Sequence, residues 1–118
     1  MQILDEPHGD IRIVTIDDHL DTTTAPQLER ALHGLIDNGD QRILIDCTEL
    51  RYVNSAGLKA LLLVAKRLEA NSGALVLCAL APNVSMVFTM IGFDRVLKIL
   101  PNRDEALRAF RGADPQVT

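Results

Sequence analysis

The sequence predicts a single α/β domain: a mixed, mostly parallel sheet of four or five strands with about four α-helices. Three observations predict it. Short apolar runs, "RILIDC" at 42–47 and "ALVLCAL" at 74–80, have the length and composition of strands buried on both faces. Amphipathic stretches with helical spacing separate such runs. Pro, Gly, Asn and Asp gather between the two kinds of segment, where turns belong. Strands alternating with helices imply parallel pairing through crossover connections. The 118 residues suit one domain, and 47% hydrophobic residues suffice for a real core.

Each element has its own warrant. Residues 1–4 read as a short edge strand, and "PHGD" at 7–10 as a turn. "IRIVTID" at 11–17 is rich in β-branched residues and reads as a strand, with Val14 out of phase. Leu28, Ala31, Leu32, Leu35 and Ile36 then make one helical face. Thr23 or Thr24 is positioned to cap that helix, Pro26 suits its first turn, and Asn38-Gly39 closes it. After the strand at 42–47, a helix covers about 55–70, with Leu58, Leu61, Leu62, Ala65 and Leu68 inward. Lys59, Lys66, Arg67 and Glu69 mostly face away, and "NSG" at 71–73 ends the helix. The strand at 74–80 leads to a short helix at 83–90 stopped by Gly92. "RVLKIL" at 95–100 is a strand, Pro101-Asn102 a turn, and 103–110 the last helix. Residues 1–112 thus make the domain, and 113–118 a flexible tail.

Composition removes several function classes. The net charge is -4, there is no Trp, and the aromatics are one Tyr and three Phe. That speaks against direct nucleic-acid binding, which wants a basic face and stacking rings. No apolar run reaches the roughly 18 residues of a membrane span, and the N-terminus lacks a signal-peptide pattern. A cytoplasmic protein, monomeric or weakly dimeric, is the expectation. Cys47 and Cys78 end apolar runs without a C-x-x-C pair, which fits reduced core thiols. His8, His19 and His33 are too scattered for a zinc site. No G-x-S-x-G elbow, P-loop or G-x-G-x-x-G occurs. Asp21 and Asp46 read as a loop polar group and a strand-end hydrogen-bonder rather than as a catalytic pair. No enzyme activity and no cofactor is expected.

One stretch asks for more: "YVNSAGLKALLLVAKRLE" at 52–69. Asn54 and Ser55 open a helix a few residues beyond a buried strand, the region of α/β folds where functional groups gather. Taken by themselves, both residues are good N-caps, worth about 1 kcal/mol, and Gly57 has a packing use. The alternative is a phosphoacceptor, because a helix start carries partial positive charge and free N–H groups. Phosphate there would leave the helix intact and change what a partner meets.

"DCTELRYVNSAGLKALL" resembles the signature of the STAS domain family, and within it that of the bacterial anti-sigma factor antagonists. "DDHLDTTTAPQLERAL" and "MIGFDRVLKIL" resemble two further elements of that family, in the same order. The resemblance implies a Ser at the helix start that an anti-sigma factor, itself a serine kinase, phosphorylates. It also implies a metal-dependent protein phosphatase that resets the switch. Carried over, Ser55 matches the phosphoacceptor, Asp21 the family's Asp near the site, and Gly57 and Leu58 the end of the motif. The implied partner surface comprises Asp21, Thr22, Asn54, Ser55, Ala56, Gly57, Leu58 and Lys59. Three positions depart from the pattern. Asn54 replaces an Asp, Ala56 replaces a second Ser, and His19 stands where Gly is common. The alternatives are a non-phosphorylated STAS scaffold and a small-ligand-binding STAS module in a signalling or transport complex. Leu63 reads as a scattered surface residue or a partner contact, and Met86, Phe88 and Met90 read mostly as core, with one of them reaching the surface as a contact.

Overall fold

The computed structural model describes residues 1–112, with side chains through Phe110; the expected tail at 113–118 lies outside the described residues. The elements are β1 (Ile3–His8), β2 (Ile11–Leu20), α1 (Ala25–Asp37), β3 (Arg42–Val53), α2 (Ser55–Ala70), β4 (Ala74–Cys78), α3 (Pro82–Ile91), β5 (Lys98–Leu100) and α4 (Arg103–Gly112). That is the order read from the sequence. The five strands form one sheet in the order β1-β2-β3-β4-β5. β1 runs antiparallel to β2, and every other neighbouring pair is parallel.

Both faces of this sheet are covered, which explains the phase of β2. Val14 and Ile16 join Ile43, Ile45 and Leu77 in the core beneath α1, α2 and α3. Ile11 and Ile13 join Leu44, Val76 and Phe110 beneath α4 on the other side. A strand with two buried faces has no polar phase to keep. Cys47 lies in the first core and Cys78 in the second, and both are free, buried thiols. Burial pushes the Cys78 thiol up to about 11.

Several boundaries differ from the expectation. β1 reaches His8, and the turn is confined to Gly9, at φ 63°, and Asp10. Pro7 is tolerated because β1 is an edge strand. β4 stops at Cys78 because Ala79 turns to φ 62° and donates its N–H to Leu100 O at 3.1 Å. β5 is shorter because Gly92, at φ 86°, caps α3 and residues Phe93–Arg95 wind into a 3-10 turn. The inward face of α2 includes Ala60 and Val64, whereas Leu62 is half-buried. Arg67 lies partly buried rather than facing away, hydrogen-bonded to His33 Nδ1 at 2.8 Å and paired with Asp37, so it ties α2 to α1.

The largest difference bears on function. β2 and β3 were expected to end near Asp17 and Cys47. They continue together as a two-stranded ribbon beyond β4, pairing Asp17 with Glu49, His19 with Tyr52 and Leu20 with Val53. The register slips between Thr15 and Asp17 and again between Asp18 and His19, with Asp18 at φ 61°. Leu20, Leu50 and Val53 bury their side chains, while Asp18, His19, Glu49 and Tyr52 are exposed.

Candidate functional site

The ribbon delivers the two sequence segments of interest to one place. Asn54 N–H donates to Leu20 O at 3.2 Å, so the start of α2 is hydrogen-bonded to the last residue of β2. Asp21 and Thr22 follow directly on one chain segment, and Ser55 on the other. The two segments lie 33 residues apart in the sequence, measured from Asp21 to Asn54.

Asn54 caps α2. Its backbone is extended, at φ −120°, and its side-chain oxygen accepts from Ala56 N at 3.1 Å and Gly57 N at 3.2 Å. Two of the helix's orphan donors are thereby satisfied by one residue. Ser55 is the first residue of the helix and is exposed. Its hydroxyl has no hydrogen-bond partner among the described residues. Sequence reasoning left the capping duty open between Asn54 and Ser55; the structure gives it to Asn54.

Gly57 sits against β2. A Cβ built there would lie 2.6 Å from Leu20 Cγ and 2.7 Å from Leu20 O. Only hydrogen fits, and the close approach holds the helix start down on the ribbon. Leu58 is fully buried in the core. Its predicted part in the partner surface is therefore corrected: it anchors the helix from below and presents no side chain to a partner. Asn54 and Ala56 are half-buried, and Lys59 is exposed one turn on from Ser55.

Across from this, Asp21 builds a turn rather than pointing freely outward. Its carboxylate accepts from Thr23 N at 3.0 Å and Thr24 N at 3.2 Å. Thr24 Oγ1 accepts from Asp21 N at 2.9 Å and donates to His19 O at 2.8 Å. Thr24 does occupy the cap position of α1, but its hydroxyl turns back toward β2 and caps nothing in the helix. Thr22 is exposed at the tip of this turn.

Sequence reasoning missed two features here. One is the ribbon's exposed aromatic pair, His19 and Tyr52, with ring centroids 5.6 Å apart in an edge-to-face arrangement. His19 Nδ1 also lies 3.1 Å from Asp18 Oδ1. No local pattern signals it, since Leu50 and Val53 are buried three residues apart, a spacing that strand alternation does not give. The other is the Arg103 partner of Asp46, whose reading as a hydrogen-bonder holds. This buried carboxylate accepts from Thr48 Oγ1 at 2.6 Å, Thr48 N at 3.0 Å, and Arg103 Nε and Nη2 at 3.1 and 2.9 Å. Burial pulls its pKa up, but the bonds from Thr48 and Arg103 outweigh that and hold it below the ordinary aspartate value. Arg103 also reaches Glu6 at 3.2 Å, so α4 is clamped to both β3 and β1.

No group of three or more His, Cys, Asp or Glu residues able to hold a metal occurs among the described residues. No described helix is long and apolar enough to cross a membrane. What the site offers is a small, nearly neutral platform: a free hydroxyl on a capped helix start, flanked by a rigid turn.

The fold has known counterparts. Residues 2–106 match the STAS domain family, and the chain belongs to it. Within the family it is 40% identical over 97 residues to BtrV of Bordetella bronchiseptica, named as a candidate anti-sigma factor antagonist; the match spans 82% of this chain and 84% of that protein. An anti-sigma factor antagonist from Mycobacterium paratuberculosis superposes with a TM-score of 0.86 at 26% identity, covering 93% of each chain. The Bacillus anti-sigma factor antagonist SpoIIAA, solved in unphosphorylated and phosphorylated forms, shares the fold at 20% identity with TM-scores of 0.71 and 0.70. Those two matches cover 94% and 92% of this chain and 99% of SpoIIAA in each case.

Proposed function

We propose that this chain is an anti-sigma factor antagonist that binds a serine-kinase anti-sigma factor and is switched off by phosphorylation of Ser55. The surface it uses is Asp21, Thr22, Asn54, Ser55, Ala56 and Lys59, with Gly57 and Leu58 beneath it. One observation carries the reading: Ser55 is exposed with its hydroxyl unengaged, while Asn54 does the capping. A serine kept at a helix start only for stability would be the cap itself. The naming of a 40%-identical relative as a candidate antagonist supports the same reading.

The physics of the switch follows from the position. A phosphate on Ser55 adds about 1.5–2 negative charges. At a helix N-terminus an anion is favoured by about 0.3–1 kcal/mol, so the helix does not melt. The penalty falls on the partner. One added charge about 4 Å from a like charge costs about 4 kcal/mol at an effective dielectric of about 20. That is close to a thousandfold in affinity. The antagonist therefore works by binding and needs no cofactor of its own; ATP belongs to the kinase, and a metal-dependent protein phosphatase restores the free hydroxyl.

The test is mass spectrometry of the protein after incubation with ATP and a lysate of its source organism, beside Ser55→Ala. The expected result is one added phosphoryl group mapped to Ser55 and absent from the variant. No modification, in a lysate from which a partner is recovered, would overturn the switch.

A further inference from the structure

Position 52 carries the one tyrosine of the chain, and the fold leaves it nearly half exposed. Its strand neighbours Leu50 and Val53 are buried, so the inner side of the ribbon is filled without it. Its ring packs on His19 of the paired strand, with centroids 5.6 Å apart and planes at 72°. The Asp18 carboxylate holds that imidazole by Nδ1 at 3.1 Å. Tyrosine on a protein surface is a marked case, because it is enriched in the buried centres of protein interfaces.

The two rings are also held still. Asn83 Nδ2, from α3, donates to Arg51 O at 2.9 Å, and Asn54 N–H donates to Leu20 O at 3.2 Å. These bonds flank the pair, since Arg51 precedes Tyr52 and Leu20 follows His19. One strand of the ribbon is thereby tied to α3, and the other to the start of α2. Side chains presented on a fixed backbone lose little freedom on binding, which is what a docking anchor needs.

We propose that Tyr52, braced by His19, is the docking anchor for the kinase that modifies Ser55, its ring entering an apolar pocket beside the kinase's active cleft. This rests on the reading of Ser55 as the phosphoacceptor. Distance argues for it. A partner that encloses the Ser55 hydroxyl in an interface of standard size covers about 800 Å² of this chain, a disc of about 16 Å radius. Tyr52 stands three residues before Ser55, hence at most about 11 Å away by backbone reach. His19 is its register partner, so both rings fall inside that footprint. Tyrosine is among the residues that carry most of the affinity at such contacts. The ring takes no part in phosphoryl transfer; it sets the affinity of the encounter. A cross-strand pair that only steadied the ribbon would act on stability and leave recognition unchanged.

The experiment measures initial rates of Ser55 phosphorylation with ATP and a lysate of the source organism deleted for this chain's own gene. The purified full-length chain is varied in concentration as the parent and as Tyr52→Thr, Tyr52→Ala, Tyr52→Phe and Val96→Ala. Thr keeps a strand-forming side chain without the ring. Val96 is an exposed apolar control ahead of β5, at the opposite end of the parallel strands. Tyr52→Thr and Tyr52→Ala are expected to raise the apparent KM at least about tenfold, with the maximal rate within about twofold of the parent's. Tyr52→Phe and Val96→Ala should keep the parent's KM. Thermal unfolding of every variant is followed by circular dichroism. An unchanged KM in Tyr52→Thr, a fall in maximal rate alone, or a rise shared by Tyr52→Phe or Val96→Ala would overturn the anchor and leave the phosphoswitch standing. So would a KM that follows thermal stability across the variants rather than the presence of the ring. No phosphate on Ser55 of the parent would overturn the switch, and the anchor with it.

Discussion

Adding one methyl group at Gly57 tests the geometry of the site most directly. The Cβ of Gly57→Ala would sit 2.6 Å from Leu20 Cγ and 2.7 Å from Leu20 O. Carbon–carbon contacts settle at about 3.5–4.0 Å, so the overlap is about 1 Å. Leu20 cannot yield, because its side chain is fully buried and its carbonyl oxygen accepts the Asn54 N–H. The start of α2 must lift instead. Overpacking of this kind costs about 1–3 kcal/mol, and losing the Asn54–Leu20 bond about 1 kcal/mol more. The better helix propensity of Ala returns about 1 kcal/mol. The net expectation is a loss of about 1–3 kcal/mol. Gly34 supplies a control, since it too is a helical glycine, inside α1 rather than in a first turn, but a Cβ there meets nothing within 4 Å. Gly34→Ala should gain about 0.5–1 kcal/mol. At roughly 4 °C per kcal/mol for a domain of this size, thermal unfolding followed by circular dichroism should move the two variants in opposite directions. If Gly57→Ala were as stable as the parent, or moved upward with Gly34→Ala, the close approach of α2 to β2 would be refuted.

Two further outcomes follow from the hydrogen bonds. Asn54→Ala should cost about 1–2 kcal/mol by urea unfolding, since two helix N–H groups lose their acceptor, whereas Ser55→Ala should stay within about 0.5 kcal/mol; equal losses for both would refute the division between cap and free hydroxyl. Arg103→Met should cost about 1–2 kcal/mol at neutral pH, because Asp46 is left buried with only Thr48. The pH dependence has a definite sign. The folded pKa of Asp46 lies below its unfolded value, so its contribution is complete above about pH 4 and is lost as pH falls through the lower folded value. The stability gap between parent and Arg103→Met should therefore narrow at acid pH, and a constant gap would rule out the ion pair as its source.

The sequence made the element order and the cores readable because those are written in local pattern. Of the runs at 42–47 and 74–80, residues 43–47 and 75–78 bury on both faces as their apolar character implies. What stayed hidden is what depends on pairing at a distance. "TELRYV" has too many polar residues to read as a buried strand, and "DDHL" contains a residue in the left-handed region at Asp18. Each segment is a poor strand alone; together they pair as a ribbon. The same holds for the site. That Asn54 or Ser55 caps a helix is a local inference, but the choice between them required the extended backbone at Asn54 and both bonds to its side chain. That Asp46 needs Arg103, 57 residues away, has no local sign at all.

The choice of Asn at position 54 then acquires a physical meaning. An aspartate there, as in the pattern the chain resembles, would cap equally well and would add a favourable charge to the helix start. It would also stand one residue from the phosphate on a modified Ser55. Two negative groups would then compete for the same few N–H donors, and at about 5 Å with an effective dielectric near 20 each unit of charge costs about 3 kcal/mol. Asn54 keeps both cap bonds, to Ala56 and Gly57, and removes that repulsion. The trade is one-sided: the unmodified helix loses a few tenths of a kcal/mol, while the phosphorylated one gains several-fold more. On the proposed mechanism, this substitution biases the chain toward holding its phosphate, so that Asn54→Asp should shorten the lifetime of the phosphorylated state without displacing the helix.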